Sequence, residues 1–149
     1  MKFLIKKNQN LNNSEILKII KLKSECWKYN YLSQKVWLKK YVKNNDLHIM
    51  LFLKKKLISY ANLILSDLYT NEKLFLLGTH ITSRKFRNKK YGRSVIKYCN
   101  KIIASKNILG ILKCRNKDVN YYKKCKWRLL KSKKHLLKLD KRSTWLCYN

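Results

Sequence analysis

An α/β domain is the fold class this sequence predicts, and three observations predict it. Apolar runs of strand length recur along the chain, and amphipathic helical segments are interleaved with them. One stretch, Leu74 to Ala104, reads as a strand, a basic turn and a helix in unbroken succession. With 149 residues, 46% of them hydrophobic, the chain is most economically one domain over residues 1–149, long enough to bury a real core. No repeat or linker is visible.

The elements follow in order. Lys2 to Lys6 forms a short first strand. Asn12 to Glu15 has the pattern of a capping box and opens a helix through Ile16, Ile19, Ile20 and Leu22. An aromatic-rich connection, CWKYNYL, leads to a second helix from Ser33, with Val36, Trp37, Leu38, Tyr41 and Val42 as its apolar content. Leu47 to Leu53 and Leu57 to Leu65 are two strands of a hairpin joined by the lysine turn Lys54 to Lys56. Leu74 to Ile81 is apolar enough for a buried central strand, in which Gly78 permits close backbone approach. Ile108 to Cys114 is a second apolar strand. Beyond Trp127, Arg128 to Ser132 and Ser143 to Tyr148 supply closing strands, with His135 to Leu139 either a strand or part of the connection.

Between the central strand and the next helix the pattern changes. From Ser83 to Lys90 five of eight residues are Lys or Arg, and Phe86 is the one apolar residue. Val95, Ile96, Cys99, Ile102 and Ile103 then mark one face of a helix that begins near Tyr91 or Gly92. A helix start presents unpartnered N–H groups and a partial positive charge, so a turn feeding into it is a natural phosphate cradle. Arg87, Lys89, Lys90 and Arg93 add full charges there. The competing reading is a solvated basic turn.

The formal net charge of +30, from 37 basic and seven acidic residues, bears on partners. Zero prolines and three glycines beside abundant Lys, Asn and Ile point to an AT-rich coding bias. That bias accounts for lysines but not for the shortage of carboxylates. Such a surface attracts polyanions such as RNA without a specific site, so nonspecific nucleic-acid association is expected. It also opposes self-association, leaving monomer or homodimer open. No apolar run approaches a membrane span, and MKFLIKK lacks the apolar region of a signal peptide, so the expected location is cytoplasmic. The five cysteines show no C-x-x-C pair and fit reduced thiols; Cys114, Cys125 and His135 match no common zinc spacing, and no metal is expected.

THITSRKFRNKKYGRSVI resembles the acetyl-coenzyme A signature of the GNAT N-acetyltransferase superfamily, a strand followed by R/Q-x-x-G-x-G/A opening a helix. Arg87 takes the R/Q position and Gly92 the final glycine, while Lys90 stands where the first glycine is usual. A second match follows: RNKDVNYYKKCKWRLL is similar to the family's short helix ending in tyrosine before a glycine–aromatic pair. There Tyr122 matches the tyrosine and Trp127 the aromatic, with Lys126 replacing the glycine. Together the matches cover Leu74 to Leu130.

The resemblance implies a mixed, mostly antiparallel sheet of six to seven strands with helices on both faces and a splayed parallel pair at the cofactor site. It implies acetyl-CoA as co-substrate, bound along Arg87, Asn88, Lys89, Lys90, Tyr91, Gly92, Arg93 and Ser94, with the pantetheine arm on the main chain of Ile81 and Thr82. Acceptors approach from the first two helices and their connection, which here carry Glu25, Trp27, Tyr29 and Tyr31. The implied chemistry is direct attack of an amine, from a small molecule or a protein, on the acetyl thioester. Tyr122 is then the general acid. For the base, the family's usual carboxylate position holds Leu76. His80 is the candidate, since strand alternation puts it on the same face as Leu76 and Gly78; Glu72 is a second. The alternative is a noncatalytic or degenerate basic module that binds RNA or ribosomes, for which the charge and the lysines at 90 and 126 speak.

Overall fold

The computed structural model of the chain describes residues 1–67, 73–130 and 144–149. Among the described residues the chain forms seven strands: β1 (Lys2–Lys7), β2 (Leu47–Leu53), β3 (Lys56–Ser66), β4 (Leu74–Thr82), β5 (Gly110–Cys114), β6 (Arg128–Leu129) and β7 (Thr144–Tyr148). They make one sheet in the order β1-β2-β3-β4-β5-β7-β6, antiparallel except for the parallel pair β4–β5. Four helices, α1 (Asn13–Ser24), α2 (Tyr31–Tyr41), α3 (Tyr91–Ser105) and α4 (Val119–Lys123), complete the described architecture. Strands β1, β3 and β4 run a residue or so beyond their expected ends and β5 begins two residues later than expected, while His135 to Leu139 and the rest of 131–143 lie outside the described residues, as does Glu72.

Local chemistry accounts for the helix starts. Asn12 Oδ1 accepts from the Glu15 N–H at 2.9 Å and Glu15 Oε2 accepts from the Asn12 N–H at 3.0 Å, the reciprocal pair the capping box requires. Such a cap stabilises by about 1 kcal/mol. The second helix begins two residues before Ser33, because Asn30 Oδ1 accepts from the Ser33 N–H at 2.8 Å and so acts as its N-cap. Tyr31 thereby sits in the first turn of α2 rather than in the connection.

Helix α3 packs Val95, Ile96, Cys99 and Ile103 against Ile49, Leu51, Ala61 and Leu63 of β2 and β3 on one face of the sheet. On the other face Ile19 and Leu22 of α1 meet Met50, Phe52, Tyr60 and Ile81. Trp127 is fully buried beneath the α3 face; its indole N–H donates to Asn100 Oδ1 at 2.9 Å, and Asn100 Nδ2 donates to the Cys125 carbonyl at 2.8 Å. This latch fixes the end of α4 relative to α3.

A bulge in β4 shapes the site. Leu63 pairs with Leu77 and Asn62 with Thr79, so Gly78 is an extra residue with no partner opposite. A Cβ at Gly78 would come within 2.8 Å of Ile64 Cδ1, so a larger residue there would require that side chain to shift. The bulge also reverses the alternation beyond it. Ala61 of the α3 face pairs with His80, and Tyr60 of the α1 face pairs with Ile81. His80 therefore points to the α3 side, opposite Leu76, and the same-face expectation is corrected.

Candidate functional site

Strands β4 and β5 pair only at Phe75–Gly110 and Leu76–Ile111, then part. Their diverging ends open a cavity of about 1080 Å³, lined by Leu77 to Thr82, by Leu112 to Arg115, by the turn into α3 and by Tyr121 and Tyr122. The cavity therefore lies between a strand edge with free main chain and a helix N-terminus.

The residue that enters that N-terminus is not a glycine. Lys90 is the residue before α3 and adopts a left-handed backbone, φ 62° and ψ 1°, with no side chain capping the first turn. The first-turn N–H groups are thus left without a side-chain cap, on residues that line the cavity. Asn88 is also left-handed, at φ 61°. A lysine in this conformation costs about 1–2 kcal/mol relative to an unstrained backbone, yet it holds the geometry that a glycine would hold. Lys126 does the same at the end of α4: at φ 70° its N–H donates to the Lys123 carbonyl at 2.9 Å, while the Trp127 N–H donates to the Tyr122 carbonyl at 3.2 Å. These are the two bonds of a Schellman helix end, where glycine is the usual left-handed residue.

Gly92, the second residue of α3, is needed for a different reason. An added Cβ would stand 2.7 Å from Thr82 Oγ1, 2.7 Å from Tyr121 Oη and 3.2 Å from His80 Nε2. The glycine is what lets α3 start hard against β4 and α4. Its first obstacle is the protein's own side chains, ahead of any ligand.

The predicted cofactor residues divide on inspection. Ile81, Thr82, Arg87, Asn88, Lys90, Tyr91, Gly92 and Arg93 line the cavity, whereas Lys89 and Ser94 do not; the Ser94 hydroxyl donates back to the Lys90 carbonyl at 3.3 Å. Arg87 donates from Nε to the Thr82 carbonyl at 3.3 Å and from Nη2 to Cys26 Sγ at 3.3 Å. A ligand strand laid along β4 would share the Thr82 carbonyl with it. Ser59 Oγ donates to the Ile81 carbonyl at 2.9 Å, securing the same strand end from the β3 side.

The four predicted acceptor residues also separate. Glu25 accepts from Ser83 Oγ at 3.1 Å and from the Arg84 N–H at 2.9 Å, so both carboxylate oxygens brace the turn after β4. Trp27 lines the cavity and Tyr29 lines a second cavity described below, while Tyr31 lines neither.

His80 and Tyr122 are brought together. Tyr122 Oη lies 3.4 Å from His80 Nδ1, and the Tyr121 ring stacks on the imidazole at a centroid distance of 5.7 Å. His80 Nε2 is sealed from solvent and has no hydrogen-bond partner among the described residues. Burial lowers the His80 pKa to about 4, the nearby Gly92 main chain offsetting part of the effect. A histidine so depressed is neutral at pH 7 and a weak acceptor for an ammonium proton. Burial moves both tyrosine phenols the other way, well above the ordinary value, so each keeps its proton throughout the neutral range. Tyr121 was not among the residues predicted from sequence; its place beside Tyr122 in the short helix was the one signal that could have found it.

On the α1–α2 face, a second cavity of about 440 Å³ is lined by Lys23, Gln34, Trp37 and Lys40 together with aromatic residues of the connection and α2. Trp27 and Thr79 line both cavities, so the two meet at the bulge of β4. Lys23 is buried, with Nζ 3.6 Å from the centre of the Trp37 ring, and burial lowers its pKa to about 8. Its position was readable: Ile16, Ile19, Ile20 and Lys23 fall on one helical face. Among the described residues no group of three metal-ligating side chains occurs, and no helix is long and apolar enough to cross a membrane.

Comparison with solved structures places the architecture. Escherichia coli ElaA superposes with a TM-score of 0.74 at 14% identity, covering 99% of each chain. An aminoglycoside 6'-N-acetyltransferase complexed with coenzyme A gives 0.72 at 12% identity, over 97% of this chain and 95% of that one. The PaiA N-acetyltransferase from Thermoplasma acidophilum, also in complex with coenzyme A, gives 0.63 at 17% identity over 100% and 99%. The chain has the GNAT acetyltransferase fold. No protein-family model and no curated protein matches it in sequence.

Proposed function

We propose that this protein is an acetyl-CoA-dependent N-acetyltransferase acting on a primary amine. The observation that carries the reading is the opening between β4 and β5, which leads onto the uncapped start of α3 under a rim that includes Arg84, Arg87, Lys90 and Arg93. Anionic phosphates fit that rim and the first-turn N–H groups, and an extended amide-bearing arm fits the unpaired edge of β4.

When bound, acetyl-CoA supplies an acetyl thioester: the amine nitrogen bonds to the carbonyl carbon, the C–S bond breaks, the nitrogen loses a proton and the sulfur gains one. Tyr122 holds a proton at Oη at the cavity wall and serves as its donor to sulfur. His80, neutral and facing α3, orients that hydroxyl through Nδ1, a positioning role in place of the general-base role expected from sequence. The amine proton then leaves to water.

The left-handed backbones at Lys90 and Lys126 weigh against the degenerate-module alternative, since the glycine replacements keep the glycine geometry. Calorimetric titration of nucleic-acid-free protein with acetyl-CoA, at low and raised salt, tests the proposal. Saturable one-to-one binding that persists at raised salt is expected. Weak binding abolished by salt, with binding of unrelated RNA unaffected by coenzyme A, would favour the basic module.

A further inference from the structure

The cavity between α1, α2 and β4 has a composition that selects among amines. Its lining contains two cations, Lys23 and Lys40, and no carboxylate, and four of its ten residues are aromatic: Trp27, Tyr29, Trp37 and Tyr41. The two carboxylates carried by α1 and its C-terminal cap are already engaged. Glu25 braces the turn after β4, and Glu15 pairs with Lys6 at 2.7 Å. Lys23 is 5% exposed and has no carboxylate partner among the described residues; its Nζ rests over the Trp37 ring, and its charge also bears on the buried, neutral His48, which offers no counter-charge. An ammonium kept out of water without a counter-charge is unfavourable, and the imbalance is relieved by an anion delivered with a ligand.

We infer that this cavity binds the acceptor and that the acceptor carries its own carboxylate on an aromatic or apolar body, the carboxylate meeting Lys23 and the amine reaching the junction at Thr79. The inference rests on the acetyltransferase reading for its chemistry but not for its binding test. A volume of about 440 Å³ suits a molecule of amino-acid to drug size. One buried ammonium matches one negative charge, which favours a carboxylate over a phosphate dianion. Aromatic walls supply contact area for a planar body. Polyamines and other polycations meet two lysines and nothing to neutralise them.

Two matched pairs test this by calorimetry on the free full-length protein: L-phenylalanine against phenethylamine, and 4-(aminomethyl)benzoate against benzylamine. Spermidine is the polycation control. The expected result is at least tenfold tighter binding of the carboxylate member of one pair, with no binding of spermidine. Lys23→Met, which keeps the length and apolar stem, is expected to erase that difference while the melting temperature does not fall. Equal or weaker binding of both carboxylate members, binding of spermidine, absence of binding by all five compounds, or an undiminished difference in the variant would each overturn the inference. Acetyl-CoA binding is measured separately. Protein that takes acetyl-CoA but none of these amines refutes the acceptor assignment alone, whereas protein that takes the carboxylate amine but no acetyl-CoA refutes the transferase reading alone.

Discussion

The cavity on the α3 side of β4 is made of main chain and charge, with seven basic residues among its lining, whereas the cavity on the α1–α2 side is made of side chains, chiefly aromatic ones. The first depends on a left-handed backbone at Lys90 and on close side-chain approach to Gly78 and Gly92. The second depends on which side chains two helices happen to bring together. A single added methyl group should therefore ruin the first cavity, while the second should respond to charge and shape.

The sharpest test of that contrast is Gly92→Val. With contacts of 2.7 Å waiting for even a Cβ, either the Thr82 and Tyr121 side chains or the start of α3 must shift, and each disturbs the cavity wall. Loss of measurable acetyl-CoA binding is expected, together with a lowered melting temperature; a variant that binds normally would show that the helix start does not form the site.

Tyr122→Phe removes the proposed proton donor and leaves the cradle intact. We expect about 100-fold slower transfer, at the low end for a general acid, with unchanged acetyl-CoA affinity by calorimetry. A wild-type rate, with chemistry shown to limit turnover, would return Tyr122 to a packing role.

Acid should loosen the protein from its interior. His48 accepts from the Tyr60 hydroxyl at Nδ1 (2.8 Å) and donates from Nε2 to Asn8 Oδ1 (3.2 Å); burial, with a smaller contribution from Lys23, lowers its pKa to about 4 from 6.5. His80 is depressed in the same way. The unfolded chain then binds more protons between the two values, so the stabilisation present above pH 6.5 is lost as pH falls toward 4. For His48 alone the loss is about 3 kcal/mol. Urea midpoints measured from pH 7.5 to 4.5 should fall accordingly, and a flat profile would contradict a neutral buried His48.

The smallest effect concerns the left-handed lysines. Lys126→Gly relieves backbone strain at a position outside both cavities and should stabilise by about 0.5–1 kcal/mol, the relief being offset in part by the greater freedom of glycine in the unfolded chain. Chemical denaturation measures it. Lys90→Gly should give a similar gain but weaken acetyl-CoA binding, because a rim charge goes with the side chain.

Much of the α3-side cavity was legible in sequence because its signals are local. The basic run Arg84 to Lys90, Gly92 and the apolar face from Val95 to Ile103 lie within a single strand–turn–helix passage, and Tyr122 and Trp127 follow at short range. His80 was misassigned to the Leu76 face because a bulge breaks the period-two rule, and the bulge is defined by the register of β3 against β4 rather than by β4 alone. Glu25 looked available for an acceptor, yet it is held by Ser83 and Arg84, nearly sixty residues away. The pairing of Lys23 with Trp37 likewise joins two helices, and only the helical spacing of Lys23 with Ile19 and Ile20 hinted that it is buried.

The sequence by itself determined the order of strands and helices, the capping box of α1, the basic turn and the start of α3, since each depends on neighbours within a few residues along the chain. The tertiary structure decided which face His80 takes, that lysines at 90 and 126 hold the conformations of glycines, and that two cavities meet at Thr79. Those outcomes turn on strand register and on packing between distant segments, where a shift of one residue reverses every side chain beyond it.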